Sequence, residues 1–262
     1  MRANISIKNK GVILTPSDRL PPVGGLFVAR INQQIALTLD KKPTTIALLS
    51  LIRTLRAIRG TITLTHSASN EASDPASDHT SASACVYLAD MALRGLEFDH
   101  QPLFKSQIEI ITPNSLTLDA LPENLFHLAR LIFNNADTTS PFMKAMDANI
   151  KDLVLVGQNL SMNLCFISIP ETLAWPTPKP MTSQRLDVCL PYPVNLWFFI
   201  VYELALSIRN PIHHYGTIET GDGHPKRFQR LIYPVVSDQD RANNYQILST
   251  AIFNDDPEAS LI

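Results

Sequence analysis

Glycine is scarce in this chain, nine residues among 262, about half the number that ordinary usage near 7% would supply. That shortage weighs against chemistries that cradle phosphate on glycine-rich loops, and no Gly-x-x-x-x-Gly-Lys pattern occurs. The hydrolase signatures Gly-x-Ser-x-Gly and His-Glu-x-x-His are missing as well. Cysteine is limited to Cys85, Cys165 and Cys189, an odd and widely spaced set. It suits neither a disulfide framework nor a Cys-x-x-Cys site, and reads as free thiols in a reducing cytoplasm. No sign of charge dominates: 22 basic against 24 acidic residues leave a net charge of −2. A chain without a basic coat is not expected to take nucleic acid as its partner. Long apolar runs are lacking too. The most apolar stretch, residues 196–208, has 11 apolar positions in 13; as a helix it would span about 20 Å, short of the roughly 30 Å of a bilayer core. It reads as a buried helix, so no transmembrane segment is expected. The first eight residues lack the apolar core of a secretory signal, and the expected location is cytoplasmic.

What is present is enough apolar content to fill a core, 45% of the chain, and one sharp break in composition. Residues 66–84 hold six serines and three acids, with no Lys, Arg or large apolar side chain. Such a stretch buries too little surface to offset its ordering entropy, and it is expected to be a disordered Ser/Ala/Asp-rich linker or loop. The break divides the chain into an N-terminal mixed α/β segment, 1–65, and a C-terminal region, 85–262. Before it lie two β-like runs, 5–14 and 26–39, a helix over 44–59, and a short strand at 61–65. The helix has Pro43 suited to its first turn and an apolar stripe of Leu48, Leu51, Ile52, Leu55 and Ile58, with Arg53, Arg56 and Arg59 opposite.

After the break a helix is expected over 85–93, ended near Gly95, then strands at 107–112 and 116–121. A helix over 122–134 carries Leu125, Leu128, Ala129 and Ile132 on one side. Residues 147–169 are apolar and punctuated. Residues 170–193 contain six prolines and form an irregular, extended connector. Asn195 can cap a helix running to Arg209, which Asn210 and Pro211 stop. Three β-like runs follow, 212–220, 227–236 and 245–253, joined by polar connections; short connections favour antiparallel neighbours. Pro234 predicts a bulge or an end of pairing within the second run.

A long helix followed by a three-stranded antiparallel meander resembles the second half of a PAS domain. The residues Leu190-Pro191-Tyr192-Pro193, the stop Arg209-Asn210-Pro211, Tyr215, and the run Arg227-Phe228-Gln229-Arg230-Leu231-Ile232-Tyr233-Pro234-Val235-Val236-Ser237-Asp238 are similar to a PAS-like family common in alphaproteobacteria. Met146-Asp147-Ala148-Asn149-Ile150-Lys151-Asp152-Leu153 resembles that family's lead-in to its first strand. The resemblance covers residues 123–254. No counterpart to the family's first hairpin is legible, and the proline-rich passage occupies that region. The expected fold class is α+β: a PAS-like antiparallel sheet with flanking helices in the C-terminal half, and a mixed α/β N-terminal part. The resemblance implies a non-catalytic sensory or regulatory module that takes a small-molecule ligand and acts through a partner signalling protein or a homodimer. Its pocket candidates are Trp197, Phe199, Tyr202, Tyr215 and Phe228, with Phe198 beside them on the helix. No cofactor is expected, because neither a reactive flavin cysteine motif nor a haem-ligand context is present.

Two other readings belong to different classes. His213, His214, Glu219, Asp222 and His224 form the densest titratable cluster, and an enzyme of unrecognised type would use it. Imidazole and carboxylate are ordinary divalent-metal ligands. On a strand, however, His213 and His214 point to opposite faces, so the plainer reading is surface and turn residues. The basic helix 44–59 could contact a membrane surface or nucleic acid through Arg53, Arg56 and Arg59; its plainer reading is a domain helix with a solvated basic face.

Overall fold

The computed structural model describes residues 3–8, 11–16, 27–31, 34–39, 43–56, 61–66, 77–99, 104–112, 121–134, 153–158, 163–170, 182–190, 192–219, 225–235 and 246–254. The chain divides into two units, Met1–Leu96 and Glu97–Ile262.

In the first unit each expected β-like run folds into an antiparallel hairpin. Strand β1 (Ala3–Lys8) pairs with β2 (Gly11–Pro16), and β3 (Phe27–Ile31) with β4 (Gln34–Leu39). A polar pair, Asn9-Lys10 or Asn32-Gln33, interrupts each run in the sequence. Helix α1 (Thr45–Arg56) carries the chain from β4 to β5 (Thr61–His66), which pairs with β4 in parallel. This crossover makes the unit mixed α/β. The helix starts where Thr44 accepts a hydrogen bond from the Ala47 N–H at 3.2 Å, so Thr44 is the cap and Pro43 stands before the first turn. Leu48, Leu51, Ile52 and Leu55 are buried as the stripe predicts.

The expected linker at 66–84 is ordered at its second half. Residues Ser77–Thr80 form strand β6, antiparallel to β5, and Ser81 begins helix α2 (Ser81–Asp99). Residues 67–76 lie outside the described ones. Composition missed this because strand pairing satisfies the backbone whatever the side chains, and because Thr80 accepts the Ser83 N–H at 3.2 Å, opening the helix. Nor does α2 end at Gly95. Its buried positions Cys85, Leu88, Ala89, Ala92, Leu93 and Leu96 keep helical spacing past the glycine. A mid-helix glycine costs about 1 kcal/mol against alanine, whereas burying one leucine is worth about 1.5–3 kcal/mol.

The second unit is α+β: a six-stranded antiparallel sheet with helices on both faces. Its strands are β7 (Phe104–Ile110), β8 (Leu153–Gln158), β9 (Leu164–Ser168), β10 (Ile212–Glu219), β11 (Pro225–Val235) and β12 (Gln246–Asn254). They lie in the order β7-β10-β11-β12-β8-β9. The meander β10-β11-β12 is as expected. A hairpin that was not legible in the sequence, β8-β9, lies beside the last strand of the meander. The expected strand at 116–121 lies outside the described residues except for Leu121.

Helix α3 (Glu123–Asn134) lays Leu125, Leu128, Ala129 and Ile132 on one face of the sheet, against Leu153, Leu155, Leu231 and Leu248. The proline-rich connector is tethered within its described part. The Ser183 N–H donates to the Phe166 carbonyl, and the Phe166 N–H donates to Gln184, which covers the outer edge of β9. A short helix, α4 (Leu186–Cys189), leads to α5 (Val194–Ile208) on the other sheet face. Pro193, rather than Asn195, occupies the cap position of α5; Asn195 lies one residue inside, its Oδ1 accepting the Leu196 N–H. Arg209 ends α5 in a left-handed conformation (φ 56°), its N–H donating to Ala205. Pro234 pairs in register with Ile247 of β12, and pairing with β10 stops at Ile232. The missing N–H therefore causes no bulge: it falls where one side of β11 has already lost its neighbour.

Gly216 of β10 marks a close approach. Its φ is 156°, and a Cβ there would stand 2.0 Å from the Lys105 carbonyl oxygen of β7. Gly95 is the opposite case, since a Cβ would meet Thr45 Oγ1 at an ordinary 3.6 Å. Gly216→Ala is expected to cost roughly 1–3 kcal/mol through backbone strain, with added loss from displacing β7. Gly95→Ala is expected to stabilise by about 1 kcal/mol. Urea unfolding of both variants checks the pair, and equal effects would refute the geometry.

Candidate functional site

Strand alternation sorts the meander's side chains. His214, Gly216 and Ile218 of β10 share the α5 side with Phe228, Arg230 and Ile232 of β11; His213, Tyr215, Gln229 and Leu231 face the other way. Helix α5 is apolar nearly all round, and its buried residues include Trp197, Phe198, Phe199 and Tyr202. Between α5 and the sheet lies a cavity of about 30 Å³. Trp197, Phe198, Tyr202, Phe228, Val154, Ile218, Ala251 and Phe253 supply most of its wall, and Arg230 and Ser249 its polar part.

Arg230 is the unexpected member. It is 3% exposed, and its guanidinium carbon lies 4.5 Å from the ring centre of Phe198, 4.9 Å from Trp197 and 5.4 Å from Tyr202. Nε donates to His214 Nδ1 at 2.8 Å across the β10-β11 pair, and Nη2 has no hydrogen-bond partner. Burial pulls its pKa down to about 10 while the Tyr202 phenol acts to raise it, so the group stays charged at neutral pH. Three ring faces offset part of the cost of burying it. A full charge in an apolar site ordinarily needs a counter-ion, and among the described residues no carboxylate forms an ion pair with Arg230.

The surroundings fix their own protonation. Because His214 Nδ1 accepts from arginine, the imidazole is neutral with its proton on Nε2. Burial first, then Arg230 and His213, hold its pKa well below the ordinary value. Burial raises the Tyr202 phenol, and Arg230 and a hydrogen bond with Ser249 work against that rise. Trp197 packs at 4.8 Å on His214 and edge-on to Phe228 at 5.1 Å, and its indole N–H donates to Ser106 Oγ of β7 at 3.1 Å.

Of the residues singled out in the sequence, Trp197, Tyr202 and Phe228 line this cavity with Phe198. Phe199 is buried on α5 and is not among the lining residues. Tyr215 falls on the opposite sheet face by alternation. It stacks on His213 at 4.8 Å and lines an open groove of about 330 Å³ with Lys105, Gln107, Thr217 and Arg227. Of the titratable cluster, His213 and His214 point to opposite faces of β10, and both are buried rather than at the surface. Glu219 ends β10, and Asp222 and His224 lie outside the described residues. Among the described residues no group of three or more His, Cys, Asp or Glu could hold a metal ion. Of the basic helix, Arg53 is exposed and Arg56 half-buried on α1, and Arg59 lies outside the described residues. Sequence reasoning missed Arg230, Ser249 and Ala251. The signal for Arg230 was available: it is two residues from Phe228 and so shares its face.

The histidines make stability depend on pH. His213 is also shifted down by burial, against opposing effects of Gln229 and Glu109. The unfolded chain takes up these protons near pH 6.5 while the folded chain does not, so their contribution is whole above that pH and declines below it. Unfolding free energy is expected to fall from about pH 7 to pH 5 by up to about 1.4 kcal/mol per pH unit for each histidine. Urea titrations across that window should show a shallower slope for His214→Gln; an unchanged slope refutes the assignment.

Comparison with known proteins adds little to this geometry. No family model matches the chain, and no curated protein matches it in sequence. A solved chain described as an RNA-binding light-oxygen-voltage receptor is similar at 12% identity over 63% of this chain and 43% of that one, with a TM-score of 0.31. This chain thus spans less than half the length of that receptor. Among the described residues no helix is long and apolar enough to cross a membrane.

Proposed function

We propose that the C-terminal region is a non-catalytic, PAS-like sensory or regulatory binding module that takes a small molecule between α5 and the sheet and acts through a partner protein or a second copy. The observation that carries this reading is the cavity itself, floored by the meander and roofed by the aromatic residues of α5. A cavity with mostly apolar walls and a few polar groups is the usual form of a small-molecule site. Its charged member has a buried donor, Nη2, with no hydrogen bond in the protein, as has its neighbour His214 at Nε2, and buried polar groups are ordinarily satisfied. The reading includes no cofactor and locates the module in the cytoplasm. It assigns the sensory module to the second unit, Glu97–Ile262, rather than to the whole of 85–262, because the strand at 77–80 pairs with β5 of the first unit.

Ala251 lines the cavity and is half-buried, which makes Ala251→Leu a means of filling it with modest disturbance. Native protein and this variant are to be screened by thermal unfolding against a panel of small metabolites. At least one compound is expected to raise the midpoint of the native protein by several degrees and to leave Ala251→Leu unmoved. A chromophore or metal that copurifies would overturn the cofactor-free reading. Turnover of a substrate that depends on His213 and His214 would replace it with an enzyme.

A further inference from the structure

We infer that the cavity beneath α5 is a site for a small organic monocarboxylate, its carboxylate held by Arg230 and its short hydrocarbon part lying against Val154, Ile218, Phe228, Ala251 and Phe253. This rests on the pocket reading above and names the ligand's chemistry.

The charge balance comes first. Arg230 brings one positive charge into a buried position, and no described carboxylate forms an ion pair with it. The rings of Trp197, Phe198 and Tyr202 and the nitrogen of His214 offset its desolvation without cancelling its charge. One bound anion of charge −1 would complete the pair. A phosphate dianion or a dicarboxylate would bury a second negative charge, and the polar part of the wall offers no second cation.

The donors come second. Nη2 of Arg230 is buried and makes no hydrogen bond, although such groups are satisfied in most native structures. A carboxylate oxygen is the acceptor that suits it, because hydrogen bonds between two ionised partners are the strong ones. Ser249 Oγ and the Tyr202 phenol, hydrogen-bonded to each other, complete the polar wall.

Size and polarity come last. At about 30 Å³ the cavity exceeds the roughly 10–15 Å³ that one water needs and is far smaller than the roughly 150 Å³ of a cavity that takes benzene, so it suits a carboxylate of one or two carbons. It falls well short of a flavin or haem. The rest of the wall is aliphatic or aromatic, which disfavours nitrate, sulfate and other fully hydrated inorganic anions and suits a methyl group beside the carboxylate.

The test is calorimetric titration of the full chain, at constant ionic strength, with formate, acetate and butyrate, and with acetamide, sulfate and phosphate as contrasts. Acetate is expected to bind more tightly than butyrate, and acetamide and the inorganic anions are expected to bind weakly or not at all. Arg230→Met is expected to weaken acetate binding roughly 10- to 100-fold, the loss of one charged hydrogen bond. It should leave the unfolding midpoint of the ligand-free protein unchanged or raised, since it removes a buried unpaired charge. Should Arg230→Met fail to fold, Ala251→Leu carries the same test, because it blocks the hydrocarbon side and leaves the charge in place. Acetamide binding as tightly as acetate, with blockage by Ala251→Leu, would overturn the carboxylate and leave the pocket reading standing. Carboxylate binding that survives both substitutions would overturn the site, as would no binding across the carboxylate series.

Discussion

One guanidinium charge held out of water sets the terms for the centre of the C-terminal unit. Arg230 sits on a strand between two others, so it cannot turn toward solvent without leaving the sheet. Its neighbours are arranged around that fact. Three rings on α5 face it, an imidazole across the strand pair accepts its Nε–H, and that imidazole is obliged to remain neutral. The helix and the sheet therefore meet across a charged core rather than an oily one. An all-apolar α5 would pack against any greasy sheet face; facing this one, its aromatic residues must lie where their ring faces meet the cation.

The scaffold around that centre is built to leave it undisturbed. Helix α3 packs on the far side of the sheet, against Leu153, Leu155, Leu231 and Leu248, and shares no residues with the cavity. The two sheet margins are managed differently. At β9 the described end of the proline-rich connector supplies backbone hydrogen bonds. At β10 the margin is closed by β7, which approaches so near that only glycine fits at position 216. The meander thus has a paired neighbour on both sides, and its inner face is shaped by packing rather than by solvent.

Much of this was legible in the sequence, for reasons that can be located. Helix α5 announced itself through a run of 11 apolar positions in 13, and the meander through alternation bounded by polar connections. The hairpin β8-β9 was not legible because β8, Leu-Val-Leu-Val-Gly-Gln, is buried on both faces and so carries no period of two. The order at 77–84 was hidden because backbone pairing and a threonine cap leave no mark in hydropathy. In the pocket, aromatic residues drew attention and arginine did not. Composition treats Arg230 as a surface residue, whereas its spacing from Phe228 places it inside; Tyr215, chosen for its ring, is on the wrong parity.

The hydrogen bond from Trp197 to Ser106 has a mechanical meaning. The indole that roofs Arg230 is fastened at its other end to β7, the outermost strand on that side of the sheet. A ligand-sized change at the guanidinium that tilted this ring would have to stretch or release that bond. The tryptophan therefore ties the packing around Arg230 to the outermost strand of the sheet.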